Sequence, residues 1–312
     1  MEMKYPVIGL SPMDGITDAV FRRIVDIYGK PDIMFTEFIP VDAIILHKPA
    51  IERMLVFQKT KTTMIGQLFG IEPRLFYKAA KIVLDKGYDG VDINMGCPDR
   101  AVFNHGGGAG LILQPRLARE IILSVRKAVA DWKKRNHSKK NITVSVKTRT
   151  GYKEHQTKEW IKNLLETAPD FICLHARTYS QKYSGIADWG QIKIAADLAK
   201  KSKTKILGNG DVKNRKEALE KIKEYKISGV LIGRAALGNP WIFTDKIPTD
   251  EERFKVLMEH CRLFEKTFPE LEFKMMRKHL AWYTKGIPGS AELRNRLMSV
   301  NNIDEVKKII SP

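Results

Sequence analysis

Residues 90–112 read GVDINMGCPDRAVFNHGGGAGLI. Val91 and Ile93 mark a buried strand. The chain then breaks at Asn94-Met95-Gly96-Cys97-Pro98, leaving an amide and a thiol where the strand stops. Seven other short apolar runs have the same form: VIGLSPM (7–13), IMFTEF (33–38), TTMIGQLFG (62–70), ITVSVKTRT (142–150), FICLHAR (171–177), KILGNGDV (205–212) and GVLIGRAAL (229–237). Segments with helical spacing separate most of them, such as TDAVFRRIVDIYG (17–29) and PRLAREIILSVRKAVADW (115–132). Continuous apolar strands alternating with helices predict a parallel sheet covered on both faces. Eight such units predict an α/β fold of the (β/α)8 TIM-barrel type.

A doubly wound open sheet is the rival topology, and the strand ends favour the barrel. Asp14, Glu37, Gln67, Asn94 with Cys97, Lys147 with Arg149, His175 with Arg177, Asn209 with Asp211, and Arg234 each stand at the carboxyl end of a run. In a barrel these side chains converge on one mouth, whereas in an open sheet they spread along a line. After residue 243 the pattern changes. TDEERFKVLMEHCRLFEKTF (249–268) carries Thr249 and Glu252 at capping-box spacing. FKMMRKHLAWYTKG (273–286), SAELRNRLMSV (290–300) and IDEVKKII (303–310) read as further helices. A barrel domain over 1–243 and a small helical domain over 244–312 follow, with DKIPTD (245–250) as the linker and Pro248 as its punctuation.

The 312 residues carry 54 basic and 36 acidic side chains, a formal charge of +18. Such a field attracts polyanions, nucleic acid first and anionic membrane second. The excess lies almost wholly before residue 249, since 249–312 holds 12 basic and 10 acidic residues. No charge-free window reaches the roughly 18 residues of a membrane span, and the start, MEMKYPVIGLSPMDG, reads as no secretory signal. Three scattered cysteines, Cys97, Cys173 and Cys261, suit a reducing cytoplasm and argue against a disulfide scaffold or a zinc site. A cytoplasmic protein with no metal is therefore expected.

The strand ends also suggest chemistry. Glycines in ILGNGDV and VLIGRAALGNP let backbone approach a ligand, at the two loops where barrels often bind phosphate, and Arg234 adds a charged fork. Lys147 and His175 end neighbouring strands and, with Gln67, can face the electron-rich edge of a flavin. On chemistry alone, a flavin and another phosphorylated ligand both remain open.

The motifs LSPMDGITDAVFRRI, DINMGCP, VSVKTRTGY, LHARTYSQKYSG, GNGD and IGRAALGNPWIF together resemble the tRNA-dihydrouridine synthases, over most of residues 7–243 and more weakly through MRKHLAWYTKGIPGSAELR. The resemblance implies a barrel that holds FMN, is reduced by NADPH, and saturates the C5–C6 bond of specific uridines in tRNA. It implies FMN contacts from Pro12, Met13, Asp14 and Gln67, with Lys147 and His175 on the isoalloxazine side. Asn209, Gly210, Asp211, Gly233 and Arg234 would sit at the phosphate end. It makes Cys97 the catalytic residue, giving a proton to C5 while hydride passes from flavin N5 to C6. Asn94, Arg149 and Arg177 would lie by the substrate, and Arg277, Lys278 and His279, with Arg294 and Arg296 on the next helix, would give the helical domain a tRNA-binding face. A thiol, largely protonated at neutral pH, is a fitting acid. The glycines of HGGGAG (105–110) are expected to free the following loop to close over substrate. Two positions depart from the family pattern: Asp99-Arg100-Ala101 replaces a lysine-bearing stretch, and Ser11 stands where alanine is common.

Two further readings belong to other classes. One is a flavin reductase acting on a free small molecule, which leaves the +18 charge without a purpose. The other is a non-catalytic tRNA-binding or folding protein that uses the barrel as a scaffold. No stable protein partner is evident from the sequence.

Overall fold

A computed structural model of the chain describes residues 4–310. The eight apolar runs form eight parallel strands: β1 (Val7–Leu10), β2 (Ile33–Pro40), β3 (Thr63–Phe69), β4 (Gly90–Met95), β5 (Thr143–Arg149), β6 (Phe171–His175), β7 (Lys205–Asn209) and β8 (Gly229–Ile232). They pair in sequence order, and β8 returns to β1 with Val7 opposite Gly229, closing the barrel. The expected TIM barrel is thus the fold, and the open sheet is excluded.

The strand sequences explain the closure. Their apolar side chains are buried both inside the barrel and beneath the surrounding helices. Val7, Ile33, Phe35, Ile65, Phe171, Cys173, Leu207 and Leu231 pack as a separate interior cluster, so the barrel is a filled core and not a pore. At its amino-terminal end a device repeats three times. Asp32, Asp89 and Asp170, each just before an even-numbered strand, accept the backbone N–H of Ile8, Met64 and Val144 on the preceding strand, at 2.8, 2.8 and 2.7 Å. These carboxylates fix the closed end of the barrel and leave the strand carboxyl ends to carry the site.

The helices begin where capping chemistry places them. Asp18 caps Ala19–Tyr28 by accepting the Phe21 N–H at 2.8 Å, and the capping box at Thr249 and Glu252 starts Asp250–Thr267. The run expected as one helix over 273–286 divides into a 3-10 turn, Phe273–Met276, and a helix, Arg277–Tyr283. The last two helices are Ser290–Leu297 and Ile303–Ile310.

These carboxyl-terminal helices do not enclose a core of their own. Leu257, Cys261, Leu280 and Leu297 share one buried cluster with Ala19, Val20 and Ile24 of the first barrel helix and with Trp241. His279, expected on an RNA-facing surface, lies inside this seam and is 2% exposed. Its ring is 5.6 Å from Phe21 and 4.8 Å from His260, itself fully buried. The spacing of Arg277-Lys278-His279 put three polar residues together, but a helix turns them to different sides. Arg277 staples the end of the chain, donating to the carbonyls of Val300 at 3.0 Å and Ser299 at 3.3 Å and to Asn301 at 2.8 Å. Lys278 reaches the barrel and donates to the Gly15 carbonyl.

The seam has a pH signature. Burial holds His260 down at about 3, and burial with the neighbouring His260 and Lys278 holds His279 well below its ordinary 6.5. The unfolded chain takes up protons below pH 6.5 that the folded seam refuses. Both groups therefore contribute stability that is full above 6.5 and is lost as pH falls below it, for His260 down to about 3. Each contributes up to about 1.4 kcal/mol per pH unit. The stability of His279→Phe relative to the parent is expected to rise as pH drops from neutral to about 5, read by thermal melts. A stability difference that holds constant over that range would contradict neutral burial of His279.

Candidate active site

A cavity of about 630 Å³ opens at the carboxyl ends of the strands. Pro12, Met13 and Asp14 line it after β1, Asn94 from β4 and Cys97 just after it, Lys147 and Arg149 from β5, and His175 from β6. Asn209, Gly210 and Asp211 follow from β7, with Gly233 and Arg234 after β8. These thirteen sequence-derived site residues converge on one place. Gln67, Arg177, Arg277, Lys278 and His279 are not part of its lining.

Cys97 is half-buried on the loop after β4. Its Sγ accepts the Asp99 N–H at 3.5 Å. Burial, with Asp99 and Asp14 nearby, raises the thiol above its ordinary 9.0, against the lowering pull of that hydrogen bond and of Arg149. The group therefore stays protonated through neutral pH. Cys173 and Cys261 are fully buried, and burial pushes each up to about 12.

The loop holding Cys97 is clamped from several sides. Asn94 Oδ1 accepts the N–H of Gly96 at 3.0 Å and of Cys97 at 2.9 Å. Arg149, expected at the substrate, lines the cavity but commits its guanidinium to backbone. Nε donates to the Gly96 carbonyl at 2.7 Å, and one NH group donates to Thr178 and Lys182 at 2.9 and 2.8 Å. Asp99 explains one departure from the family pattern, because it caps the short helix Arg100–Asn104 by accepting from Ala101 and Val102. Phe103 on that helix stacks on Tyr179 at 4.0 Å and on Tyr152 at 5.2 Å, tying the loop to those after β5 and β6.

The glycine-rich stretch behaves differently from expectation. Residues 107–112 are buried, and Gly108–Leu113 forms a 3-10 turn against the Cys97 loop. Ala109 donates to the Cys97 carbonyl at 3.2 Å. Gly108 has φ +54°, and a Cβ there would sit 3.1 Å from the Cys97 Cβ. Close approach, and not freedom to move, is what requires this glycine.

On the opposite side, Lys147 donates to Asn209 Oδ1 at 3.1 Å, with burial lowering its pKa. No carboxylate among the described residues lies within ion-pair reach of it. His175 is held well below its ordinary value by burial and by Lys147, Arg149, Arg177 and Arg234, so it is a neutral imidazole. Gly210, at φ +133°, leaves room where a Cβ would meet the Ala187 Cβ at 2.8 Å and the His175 ring at 3.3 Å.

Arg177 takes a supporting place instead of the substrate position expected. Its guanidinium is buried and donates to Asp211 at 2.5 Å, to Gly185 at 2.6 Å and to Ser184 at 3.2 Å. Asp211 in turn accepts from Arg234 at 2.8 Å, which leaves Arg234 as the exposed cation at the rim. Gln67 lies one layer beneath the cavity, fully buried, between Asp92 and Asn94.

Two participants were missed in the sequence. Tyr183 lines the cavity with its ring 5.6 Å from the Arg149 guanidinium and 5.3 Å from that of Arg234. It sits in the quoted LHARTYSQKYSG motif, yet nothing in its spacing separates it from Tyr179 there. Asp92 is the second. Its signal was an acid in the middle of an apolar strand.

Comparison with known proteins agrees with this geometry. The family model described as Dihydrouridine synthase (Dus) matches residues 9–311. The chain is 33% identical to the probable tRNA-dihydrouridine synthase of Staphylococcus aureus (strain COL), covering 99% of this chain and 93% of that protein. It is 30% identical to the probable tRNA-dihydrouridine synthase 1 of Synechocystis sp., over 96% of this chain and 84% of that one. Among solved structures, the histamine dehydrogenase of Rhizobium sp. 4-9 shares the fold, with a TM-score of 0.55 at 15% identity, over 82% of this chain and 48% of the dehydrogenase. This chain thus spans about half the length of that enzyme. A cavity at a barrel mouth, a protonated thiol on the loop after β4, and a match over nearly every residue lead to one conclusion: the chain belongs to the dihydrouridine synthase family.

Proposed function

We propose that this protein reduces the C5–C6 bond of specific uridines in tRNA to 5,6-dihydrouridine, with FMN as cofactor and NADPH as reductant. The observation that carries the reading is a pairing within one cavity: a thiol kept protonated at Cys97, and a cation at Lys147 with no carboxylate partner among the described residues.

The residues fit a flavin. Met13 and Leu231 offer apolar contact, Lys147 offers a positive charge to the electron-rich edge of the ring, and His175 offers a neutral donor or acceptor. Gly233 and Arg234 suit the phosphate, with Asp211 orienting the arginine. When bound, FMN supplies hydride chemistry at C6 of the uracil.

The chain's own groups do the rest. Cys97 Sγ gives its proton to C5 as the ring is saturated, and the raised pKa keeps that proton in place until then. Arg149 and Asn94 hold the backbone that carries the sulfur. A uridine must leave its stack to enter such a cavity, at a cost of a few kcal/mol. Phosphate contacts to a chain of charge +18 offset that cost. The catalytic domain is assigned to 1–243 and the tRNA-binding helical domain to 244–312. Lys278 brings the helical segment to the mouth in this reading, beside Gly15 and Asp14. No helix among the described residues is long and apolar enough to cross a membrane; a cytoplasmic location belongs to the same proposal.

The cofactor assignment is tested on the purified protein. A yellow chromophore that releases as FMN and is bleached by NADPH is expected. Protein that takes up no flavin when incubated with excess FMN would contradict it.

A further inference from the structure

We propose that Asp92 is a positioning residue for the site: its carboxylate sets which way round the Gln67 and Asn94 amides sit, and through them it holds the Cys97 loop. The inference rests on the reading above, in which Cys97 is the acting thiol.

Asp92, Gln67 and Asn94 form a chain of hydrogen bonds running up from the barrel interior. Gln67 Nε2 donates to Asp92 Oδ2 at 2.7 Å, and Asn94 Nδ2 donates to Gln67 Oε1 at 3.0 Å. Asn94 Oδ1 then accepts from the Gly96 and Cys97 N–H groups at 3.0 and 2.9 Å. Ser145 Oγ donates to the other carboxylate oxygen at 2.5 Å, and Thr36 Oγ1 accepts the Gln67 backbone N–H at 2.9 Å. Asp92 and Gln67 are fully buried and Asn94 nearly so, so water is a poor substitute partner anywhere along the chain.

A carboxamide is nearly symmetric in shape but not in chemistry, with an acceptor at one end and donors at the other. An ionised carboxylate only accepts. Asp92 therefore obliges Gln67 to turn its NH2 downward, which leaves its oxygen facing Asn94. Asn94 must then turn its own NH2 toward Gln67, which leaves its oxygen facing the loop. If either amide were reversed, donor would face donor at a buried contact, or the Gly96 and Cys97 N–H groups would lose their acceptor. The direction of the whole chain is written at one end. Burial raises Asp92 to about 6 against the lowering pull of Ser145, Gln67 and Lys147, so it is ionised at neutral pH. Lys147 acts on it through space and is not its hydrogen-bond partner, since its ammonium donates to Asn209. The chain also explains why Gln67 sits beneath the cavity floor.

The test exchanges the acid and the amide without changing their shapes. Gln67→Glu places a second acceptor against Asp92. Adding Asp92→Asn restores a donor, because the new amide can give its NH2 to the carboxylate introduced at position 67 and still accept from Ser145. The readout is the rate at which iodoacetamide alkylates Cys97, followed by mass spectrometry of its peptide. The other two cysteines are buried. This rate requires neither cofactor turnover nor tRNA, so it stands or falls apart from the assigned reaction.

Q67E is expected to free the loop and raise the alkylation rate several-fold, and D92N/Q67E is expected to return it to the parent rate. Because two buried carboxyls can share a proton that restores the donor, rates are compared from about pH 7 to about pH 9.5. A Q67E protein alkylated like the parent at every pH would overturn the proposal, as would a double variant no better than Q67E. Should Q67E not accumulate as folded protein, a folded D92N/Q67E supports the assignment, and an equally insoluble one contradicts it.

Discussion

Cys97→Ala is expected to slow dihydrouridine formation by about 10²–10⁴-fold, the usual worth of a positioned general acid. The flavin should stay bound, because the sulfur is one contact among many around the cavity. Stability should change by less than about 1 kcal/mol, since the side chain is only half-buried and loses a single long hydrogen bond. The pH profile supplies a second check. Only the protonated thiol can donate, and burial raises its pKa above 9.0. Activity should therefore be flat through neutral pH with respect to this group and decline on the alkaline side. Steady-state turnover on unmodified tRNA, measured with parent and variant across that range, decides the matter. Equal rates would remove Cys97 as the proton donor.

The second large effect concerns the carboxyl-terminal helices. A chain ending at residue 248 is expected to aggregate instead of yielding a free barrel that still holds cofactor. The truncation uncovers Val20, Ile24 and Trp241, all buried against those helices. Each buried apolar side chain of this size is worth about 1.5–3 kcal/mol. Together these losses take a large share of the roughly 5–15 kcal/mol that keeps a domain folded. Size-exclusion chromatography and a thermal melt read the outcome. A monomeric truncated protein with a cooperative melt would show that the seam is dispensable and the barrel independent. Removing RNA contacts without unfolding the protein therefore calls for exposed substitutions, such as Arg294→Glu or Arg296→Glu, and not deletion.

The barrel was legible because its signal is local and repeated. Each strand is a short apolar run, buried on two faces, that ends in a polar group. GVDINMGCP alone shows that form, and seven others repeat it. The cavity residues were legible for the same reason, since strand ends in a closed barrel have only one mouth to face. What could not be read was the partner of each buried polar group. Arg149 and Arg177 look alike in sequence, but one clamps the Cys97 loop and the other orients Asp211. Carbonyls from residues 96, 178, 182, 184 and 185 decide which. The glycines after Cys97 signal either flexibility or tight packing, and only the position of Gly108 against Cys97 distinguishes them. His279 reads as part of a basic surface until the seam is assembled around it. In each case the missing information is a tertiary contact, 7 residues away for Arg177 with Ser184 and 53 for Arg149 with Gly96, which no residue pattern encodes.

The most direct measurement is of the product. Transcribed tRNA lacking modifications is incubated with the purified protein, FMN and NADPH, then digested and mapped by mass spectrometry. A gain of two hydrogens confined to particular uridines, and absent with Cys97→Ala, is the expected result. Folded, flavin-loaded protein that leaves every uridine at its original mass would contradict the assigned reaction.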